Sequence, residues 1–391
     1  MRIGIDYTSA VHQGAGIGRL TRGVIRALAE IDVQNQYTLF VQGRELTYPP
    51  PVPDLRNVAS GIHNDNFREV RTRIDERWWN RIWHRLHLPI AVEWTTGDLD
   101  LFHSPDFTLP PVRKGTKTVV TVHDLSFLRL PRCFEPALLD YLVKNVPAAL
   151  ARADWILADS ESTKRDLIEL LDADGERITV IYPGVEPRFQ PIADPDGLEP
   201  VRKKYGLPDR FILSLGTVQP RKNYVGLIQA LARMRDREIC LVIVGGKGWL
   251  YQDIFAAAEE LGLQDRVIFA GFVDDADLPA LYNLAEVFAF PSLYEGFGIP
   301  PLEAMACGIP VVTADNSSLP EVVGETGILV DAHDTEGIAS AIDSVLADKD
   351  LRQRLVTQGH IQARTFTWEK AAERLLATYR FLCSQEGSDH A

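Results

Sequence analysis

The chain has 391 residues, enough for two α/β domains of ordinary size, and its apolar content of 46% is typical of a globular protein. Its net charge of −13 argues against a protein that binds nucleic acid over its whole surface, because nothing offsets the repulsion of phosphate. The four cysteines form no Cys-x-x-Cys pair and adjoin no histidine cluster, so we expect reduced thiols and a cytoplasmic location. No apolar run approaches the roughly 20 residues that a membrane-spanning helix needs.

A short strand over residues 3–5 is predicted at the start of the chain, so we expect no signal peptide. The polar loop after it contains three glycines, as in dinucleotide-binding folds, namely Gly14, Gly16 and Gly18. That fingerprint also requires an acidic residue at the end of the second strand. Here the second strand, 37–41, is followed by Gln42 and Gly43, which disfavours a nicotinamide-dependent enzyme.

Residues 67–86 are predicted to form one amphipathic helix, because apolar side chains recur at helical spacing beside a second stripe of arginines. The apolar stripe is Phe67, Val70, Ile74, Trp78, Ile82 and Leu86, with Trp79 and Trp83 as further aromatic surface, and the arginines are Arg73, Arg77, Arg81 and Arg85. Two arrangements remain open. The apolar stripe packs on the domain core, or the helix lies on an anionic membrane surface, for which tryptophan and arginine are typical.

Two further predicted strands end in histidines, His103 after 101–102 and His123 after 118–122. The carboxyl ends of buried parallel strands lie where ligands bind in open α/β sheets. A lone histidine at such a place is also often a structural group, so the residues alone leave both interpretations open. Farther along the chain, residues 186–208 carry several prolines and no apolar periodicity, which predicts a linker.

The second half of the chain begins with a strand over 211–215, a turn at Gly216 and the adjacent cations Arg221 and Lys222. Two such cations can hold a diphosphate, the arginine through its planar fork and the lysine as a point charge. Positive charge near a helix N-terminus opposes the helix dipole, so the pair needs a reason beyond local stability.

A strand over 287–290, a glycine-rich loop and a helix then follow one another. A loop that runs into a helix N-terminus presents backbone N–H groups and a positive dipole end to an anion such as phosphate. Two carboxylates bracket the loop: Glu295, and Glu303, which we place in the first turn of a helix beginning near Pro301. One carboxylate can accept from two vicinal ribose hydroxyls. The alternative is that Glu303 only complements the helix dipole and Glu295 is a solvated loop residue.

The spacing of Glu295 and Glu303, with Gly296, Phe297 and Gly298 between them and Cys307-Gly308-Ile309-Pro310-Val311-Val312 after them, resembles the donor-site signature of the retaining glycosyltransferases of family 4. The resemblance covers nearly the whole chain. It implies the α/β GT-B fold, in which two Rossmann-like doubly wound domains face an interdomain cleft. The implied division is an acceptor-side domain over 1–185, a linker over 186–208, a nucleotide-sugar domain over 209–367 and a C-terminal helix over 368–391 that crosses back to the first domain.

The resemblance also implies roles for individual residues. It places His123 against the transferred hexose, Gly16 near the donor phosphate and the acceptor, and Val273 at the base-binding edge. Thr217 stands where the family usually has an arginine, and Arg221 directly precedes Lys222, as in the branch that includes many mannosyltransferases. The implied catalytic residues are His123, Glu295, Arg221 and Lys222, and the implied donor-binding residues are Gly16, Gly216, Arg221, Lys222, Val273, Glu295, Gly296, Phe297, Gly298 and Glu303.

The implied activity is transfer of a hexose, with mannose from GDP-mannose as the first choice, to a glycan or lipid-linked acceptor in polysaccharide or glycolipid assembly. The alternatives are a glucosyl- or N-acetylglucosaminyltransferase that uses a UDP-sugar, a hydrolase or phosphorylase on the same fold, and a catalytically silent sugar-nucleotide binder. We expect no cofactor, metal or nucleic-acid partner, since Asp98-Leu99-Asp100 and Asp172-Ala173-Asp174 lie away from the phosphate-binding stretches. Peripheral contact with the inner face of the membrane through 67–86 remains open.

Overall fold

The computed structural model of the protein describes residues 1–14, 16–43 and 64–384. The chain forms two compact units. The N-terminal unit contains Met1–Leu125, Asp140–Gly184 and the chain from Thr367 onward, and the C-terminal unit contains Ser126–Leu139 and Val185–Phe366. The short segment Ser126–Leu139 therefore belongs to the unit formed mainly by the second half of the chain.

The described residues of each unit form one parallel sheet. The strands of the described residues are β1 (Arg2–Asp6), β2 (Gln36–Val41), β3 (Phe67–Arg71), β4 (Leu101–Ser104), β5 (Lys117–Val122), β6 (Trp155–Ala158), β7 (Ile178–Val180), β8 (Phe211–Leu215), β9 (Cys240–Val244), β10 (Val267–Gly271), β11 (Val287–Phe290), β12 (Val311–Ala314) and β13 (Ile328–Val330). Their order is β3-β2-β1-β4-β5-β6-β7 in the N-terminal unit and β10-β9-β8-β11-β12-β13 in the C-terminal unit. The strand order reverses beside β1 and beside β8, which is the doubly wound arrangement predicted from the sequence.

Helices lie between most successive strands of the described residues, although none separates β4 from β5. In the described residues they are α1 (Thr8–His12), α2 (Ile17–Ile31), α3 (Glu76–Asn80), α4 (Glu93–Thr96), α5 (Ser126–Arg129), α6 (Pro136–Arg152), α7 (Glu161–Leu171), α8 (Glu199–Tyr205), α9 (Tyr224–Arg233), α10 (Gln252–Glu260), α11 (Leu278–Leu284), α12 (Ile299–Ala306), α13 (Leu319–Val323), α14 (Thr335–Ala347), α15 (Lys349–Ala363) and α16 (Trp368–Ser384). In the N-terminal unit α16 packs against α2, and apolar side chains of both join the core under β1 and β2.

The predicted helix over 67–86 is wrong in its first part. Phe67–Arg71 forms the edge strand β3, which pairs in parallel with β2, and the ring of Phe67 stacks on Tyr37 at a centroid distance of 4.2 Å. The chain becomes helical only at α3 and continues as one π-helical turn over Arg81–Arg85. A short apolar run fits either periodicity, and here pairing with β2 decided between them.

The buried face of this segment also differs from the prediction. Trp79 and Trp83 are buried and stack on each other at 4.2 Å, whereas Trp78 of the predicted core stripe is 57% exposed. Each buried indole N–H has an acceptor, Thr72 Oγ1 at 3.0 Å for Trp79 and the carbonyl of Ile90 at 2.8 Å for Trp83. The helix starts at Glu76, so the side chains that face the core are not those obtained by counting helical turns from Phe67. The predicted packing of the apolar stripe on the core is therefore incorrect.

The segment predicted as a linker, 186–208, includes α8 and belongs to the C-terminal unit. Lys204 Nζ donates to Asp274 at 2.6 Å and to Asp277 at 2.7 Å, and the backbone N–H of Ile192 donates to Asn283 Oδ1 at 2.8 Å. Polar contacts thus attach this segment to α11 and the residues before it.

Candidate active site

The C-terminal unit brings two cations and one carboxylate into a single cluster. Arg221 Nη1 donates to Glu295 Oε2 at 3.0 Å, and Lys222 Nζ donates to Glu295 Oε1 at 2.7 Å. Burial alone raises the pKa of Glu295, but the two cations outweigh it and lower that pKa to about 2. Glu295 is therefore ionised and holds both cations, and the expectation of a solvated loop residue does not apply to it.

The turn after β8 places these cations. Gly216 has φ +151°, and a Cβ there would lie 3.0 Å from Lys222 Cε, so the lysine stem passes close over the glycine. Asn223 ends the turn in the left-handed region with φ +57°. Its Nδ2 donates to the carbonyls of Pro291 at 3.0 Å and Ala332 at 2.7 Å, which ties the turn to two other loops.

The loop after β11 closes on the same turn, because β8 and β11 are neighbours in the sheet. The backbone N–H of Leu293 donates to the carbonyl of Arg221 at 2.9 Å, and Arg221 Nη1 donates in return to the carbonyl of Tyr294 at 2.6 Å. The ammonium of Lys222 lies 4.8 Å from the centre of the Phe290 ring. Several contacts within the C-terminal unit thus hold the cluster in position, which is the preorganisation that charge stabilisation requires.

Two serines that had no signal in the sequence hold the glycine-rich loop by hydrogen bonds. Ser318 Oγ donates to the carbonyls of Glu295 at 2.9 Å and Phe297 at 2.7 Å, and Ser317 Oγ accepts from the backbone N–H of Glu295 at 2.9 Å. Gly298 has φ +113° and lies just before α12. The serines follow β12, the neighbour of β11, and only that adjacency identifies them.

The N-terminus of α12 offers fewer donors than predicted. The helix begins at Ile299, two residues before Pro301, so its second and third residues are Pro300 and Pro301. Proline has no backbone N–H, and two of the amides that a helix N-terminus normally presents are therefore missing. Positive charge for an anion at this place comes mainly from Arg221 and Lys222, with the helix dipole as an addition.

Glu303 lies in the second turn of α12, and its predicted place in the first turn is wrong. The residue is 1% exposed, and its Oε2 accepts a hydrogen bond from the hydroxyl of Tyr282 at 2.9 Å. Tyr282 belongs to α11 and had no signal of its own in the sequence. Its contact orients the carboxylate. The ribose-binding role of Glu303 stays a prediction.

Val273, the predicted base-binding residue, follows the edge strand β10 and is buried. Gly271 turns the chain there with φ +69°, and Phe272 between them is exposed. Strand order places this turn at the carboxyl edge of the same sheet that carries Gly216. The contact with a base stays a prediction.

In the N-terminal unit, His123 follows β5 and forms a buried pair with Asp159. Its Nδ1 lies 2.8 Å from Asp159 Oδ2, and its Nε2 lies 2.8 Å from the carbonyl of Pro105. Burial lowers the pKa of His123, but Asp159, helped by Asp106, raises it to about 9. The ring is therefore an imidazolium that donates from both nitrogens.

Asp159 was missed from the sequence, although it stands directly after β6, the strand that pairs with β5. The carbonyl of His123 also accepts, from Thr163 Oγ1 at 3.1 Å, so His123 is held at ring and backbone. Its contact with a hexose stays a prediction. Gly16, with φ +51°, precedes α2 in the same unit, and its predicted role stays a prediction as well.

His103 is buried, and both of its ring nitrogens have partners inside the N-terminal unit. Its ring nitrogens lie 2.6 Å from the hydroxyl of Tyr379 and 2.8 Å from Thr121 Oγ1. Burial, and to a smaller extent His123, lowers its pKa to about 3, so the ring is neutral.

The two Asp-x-Asp stretches have local roles. Asp98 forms an ion pair with Arg113 at 2.6 Å, and Asp100 forms one with Arg2 at 2.6 Å. In the second stretch, Asp174 Oδ1 accepts from the backbone N–H of Glu176 at 3.0 Å. Across the residues that the structure describes, no three His, Cys, Asp or Glu side chains are grouped as metal ligands. No helix in the described ranges combines the length and apolarity needed to cross a membrane.

Known proteins resemble both halves of the chain. The family model described as Glycosyltransferase Family 4 matches residues 14–189, and that described as Glycosyl transferases group 1 matches residues 199–362. O-antigen chain mannosyltransferase B of Escherichia coli is 31% identical over 373 residues, which are 94% of this chain and 96% of that protein. A D-inositol 3-phosphate glycosyltransferase of Salinispora arenicola is 31% identical over 411 residues, covering 95% and 90% of the two chains.

Among solved structures, Anabaena HepE in complex with UDP and glucose superposes with a TM-score of 0.74 at 21% identity, covering 97% of this chain and 99% of its own. At that identity the likeness concerns the fold alone. It confirms the fold predicted from the sequence.

Proposed function

Since this chain belongs to glycosyltransferase family 4 and is a hexosyltransferase of the GT-B fold, we propose that it transfers mannose from GDP-mannose, with retention and without a metal ion, to a glycan or lipid-linked acceptor. The observation that carries the proposal is the cluster of Arg221, Lys222 and Glu295 at the carboxyl edge of the C-terminal sheet. The product would extend a polysaccharide or a glycolipid.

The cluster suits the departure of a nucleoside diphosphate. Two cations share one carboxylate, so the cluster keeps one net positive charge for the leaving group. Both cations are largely buried, and electrostatic stabilisation is stronger where water is excluded. Glu295 fixes their positions, so little reorganisation is needed when negative charge develops. A divalent ion is then not required for this step.

Two observations support GDP-mannose as the donor. Arg221 directly precedes Lys222, as in the branch of the family that includes many mannosyltransferases, and the Escherichia coli relative is named as a mannosyltransferase. The Anabaena neighbour contains UDP and glucose, but at 21% identity it does not argue for a UDP-sugar here. The decisive measurement is thermal denaturation with GDP, UDP, ADP, GDP-mannose and UDP-glucose. A ligand at 100 times its Kd stabilises the fold by about 2.7 kcal/mol, so the nucleotide that is bound should stand out. Stabilisation by UDP-glucose but not by GDP-mannose would replace the proposed donor.

We further propose that the segment after β3, residues 73–88, contacts an anionic lipid surface. Its exposed apolar side chains are Ile74, Trp78, Leu86 and Leu88, and Trp94 nearby is 77% exposed. The four arginines of the segment are exposed as well, and the guanidinium of Arg81 lies 4.9 Å from the Trp78 ring. Exposed tryptophan beside arginine supports local attraction to anionic headgroups, and this patch must outweigh the repulsion that the net charge of −13 exerts on the same surface.

The names of two relatives point to two kinds of acceptor. The two relatives have the same identity to this chain, yet one is named for an O-antigen chain and the other for D-inositol 3-phosphate. A neutral and a phosphorylated acceptor are therefore the two candidates for this chain.

A further inference from the structure

A polar cavity of about 140 Å³ lies within the N-terminal unit. It is lined at the carboxyl ends of three neighbouring strands, by Asp6 of β1, Gln42 after β2 and Ser104 of β4. Residues of α3 and α6, among them Glu76 and Tyr141, also line the cavity. This is the sheet edge at which open α/β sheets bind ligands.

The floor of the cavity contains an unused hydrogen-bond acceptor. Asp6 Oδ1 accepts from the backbone N–H of Thr8 at 3.0 Å, and Asp6 Oδ2 accepts from Gln42 Nε2 at 3.2 Å. Because a carboxylate accepts, this contact orients the Gln42 amide with its nitrogen toward Asp6. Gln42 is only 6% exposed, and its Oε1 has no hydrogen-bond partner among the described residues. A buried carbonyl with no partner among the described residues indicates that a donor from outside those residues completes the site.

The charges around the cavity are negative. Its described lining includes the carboxylates of Asp6, Glu76 and Asp106 but no lysine or arginine. The histidine in the lining, His84, is neutral, because burial and, to a smaller extent, Arg152 and His87 lower its pKa to about 4. Burial raises the pKa of Asp106 to about 6, with Asp6 and Glu76 adding to the rise against the opposing effect of His123.

Aromatic side chains complete the lining, among them Trp83 and Phe107. Phe107 has φ +44°, a conformation that is strained for a large side chain and is often found at functional sites. The ring of Phe107 meets the imidazolium of His123 edge to face at a centroid distance of 5.5 Å. Apolar rings next to hydrogen-bond acceptors suit a sugar, whose C–H faces are apolar and whose hydroxyls donate.

We infer that this cavity binds the acceptor sugar as a neutral polyol and excludes acceptors that carry a phosphate on that sugar. Hydroxyl groups would donate to Gln42 Oε1 and to the carboxylates of Asp6 and Asp106. A phosphate offers acceptors and negative charge to the same groups and would be repelled. The inference rests on the proposed function and specifies which acceptors that function uses.

The test compares two probes, methyl α-D-mannopyranoside and its 6-phosphate, by saturation-transfer NMR with the full-length protein. We expect the neutral probe to bind at least tenfold more tightly. Asp106→Asn and Gln42→Leu should each weaken the neutral probe at least threefold, and thermal denaturation shows whether each variant is folded.

A charge reversal keeps the test independent of those buried variants. Glu76 is exposed, so Glu76→Lys should fold, and it should reduce the preference for the neutral probe at least threefold. Glu30→Lys makes the same charge change on exposed α2 surface and should leave the preference as it is. Equal binding of both probes, no binding of the neutral probe, or equal effects of the two lysine variants would overturn the inference. Nucleotide binding measured in parallel tests the proposed function separately.

Discussion

Lys222 Nζ lies 2.7 Å from Glu295 Oε1, although 73 residues separate the two in the chain. The contact exists because β8 and β11 are neighbours in the C-terminal sheet, so that the turn after one meets the loop after the other. Arg221 shares the same carboxylate. The three side chains form one cluster, and the predictions about the leaving group depend on that cluster.

We predict that Arg221→Ala and Lys222→Ala each reduce kcat at least tenfold, which corresponds to about 1.4 kcal/mol of lost stabilisation of the departing diphosphate. Steady-state kinetics with saturating donor measures this. Arg210→Ala is the matched control, because Arg210 is a half-exposed arginine in the same unit that pairs with Glu286 and Asp236.

Activity should also persist in EDTA, since the cations take the place of a metal ion on the leaving group. Loss of activity in EDTA with recovery on addition of magnesium or manganese would contradict the proposed metal-free mechanism.

Glu303→Ala should weaken binding of the nucleoside diphosphate by about 1.5–3 kcal/mol, the range for hydrogen bonds to a charged group. Tyr282→Phe should have a smaller effect in the same direction, because it removes the hydroxyl that orients the carboxylate and leaves the carboxylate in place. Calorimetry measures both. Glu259→Ala, an exposed carboxylate of α10, is the control, and unchanged affinity in Glu303→Ala would remove the ribose from the proposed role of this residue.

The pair of His123 and Asp159 predicts a pH dependence of stability. The pKa of His123 is raised from 6.5 to about 9 in the folded protein, so the stabilisation is complete below pH 6.5 and is lost as the pH rises toward 9. We expect the wild-type free energy of unfolding to fall by about 3 kcal/mol between pH 6 and pH 9, because one pKa unit corresponds to about 1.4 kcal/mol. Urea denaturation at pH 6 and pH 9 measures it.

Asp159→Asn removes the carboxylate that raises this pKa, so the variant should be less stable at pH 6 and depend less on pH. Nitrogen NMR of the imidazole should show both ring nitrogens of His123 protonated at pH 7.5 in the wild type. A neutral ring there, or the same pH dependence in both proteins, would refute the buried imidazolium.

The protein should co-sediment with anionic vesicles and not with neutral ones, and the triple change of Arg73, Arg77 and Arg81 to Gln should abolish this while donor binding stays intact. Each arginine near an anionic surface contributes about 1 kcal/mol, and the attraction weakens with salt. Equal recovery with both vesicle types, or none with either, would leave the exposed segment without a membrane role.

Two adjacent tryptophans provide a matched comparison for the same surface. Trp78 is exposed, so Trp78→Ala should weaken vesicle binding with little change in stability. Trp79 is 6% exposed, so Trp79→Ala should lower the free energy of unfolding by about 3–5 kcal/mol. If Trp78→Ala left vesicle binding unchanged, the aromatic side chain would not take part in the contact.

The sequence by itself determined the features that depend on residue type and local order. The length of the chain predicted two α/β domains, and the resemblance carried by the Glu295–Glu303 stretch and the Arg221–Lys222 pair implied the family and its two doubly wound sheets before any coordinates. These signals are local, because a strand, a glycine turn or a pair of adjacent cations lies within a few consecutive residues.

Tertiary structure alone decided which of these pieces meet. Asp159 beside His123, Tyr282 beside Glu303 and Glu295 between two cations all follow from which strands and helices are neighbours, and neighbours in a parallel sheet need not be consecutive in the chain. The same cause turned Phe67–Arg71 into a strand, since pairing with β2 satisfies backbone groups that a helix would have satisfied internally. An apolar run that fits both periods contains no information about which partner will be there.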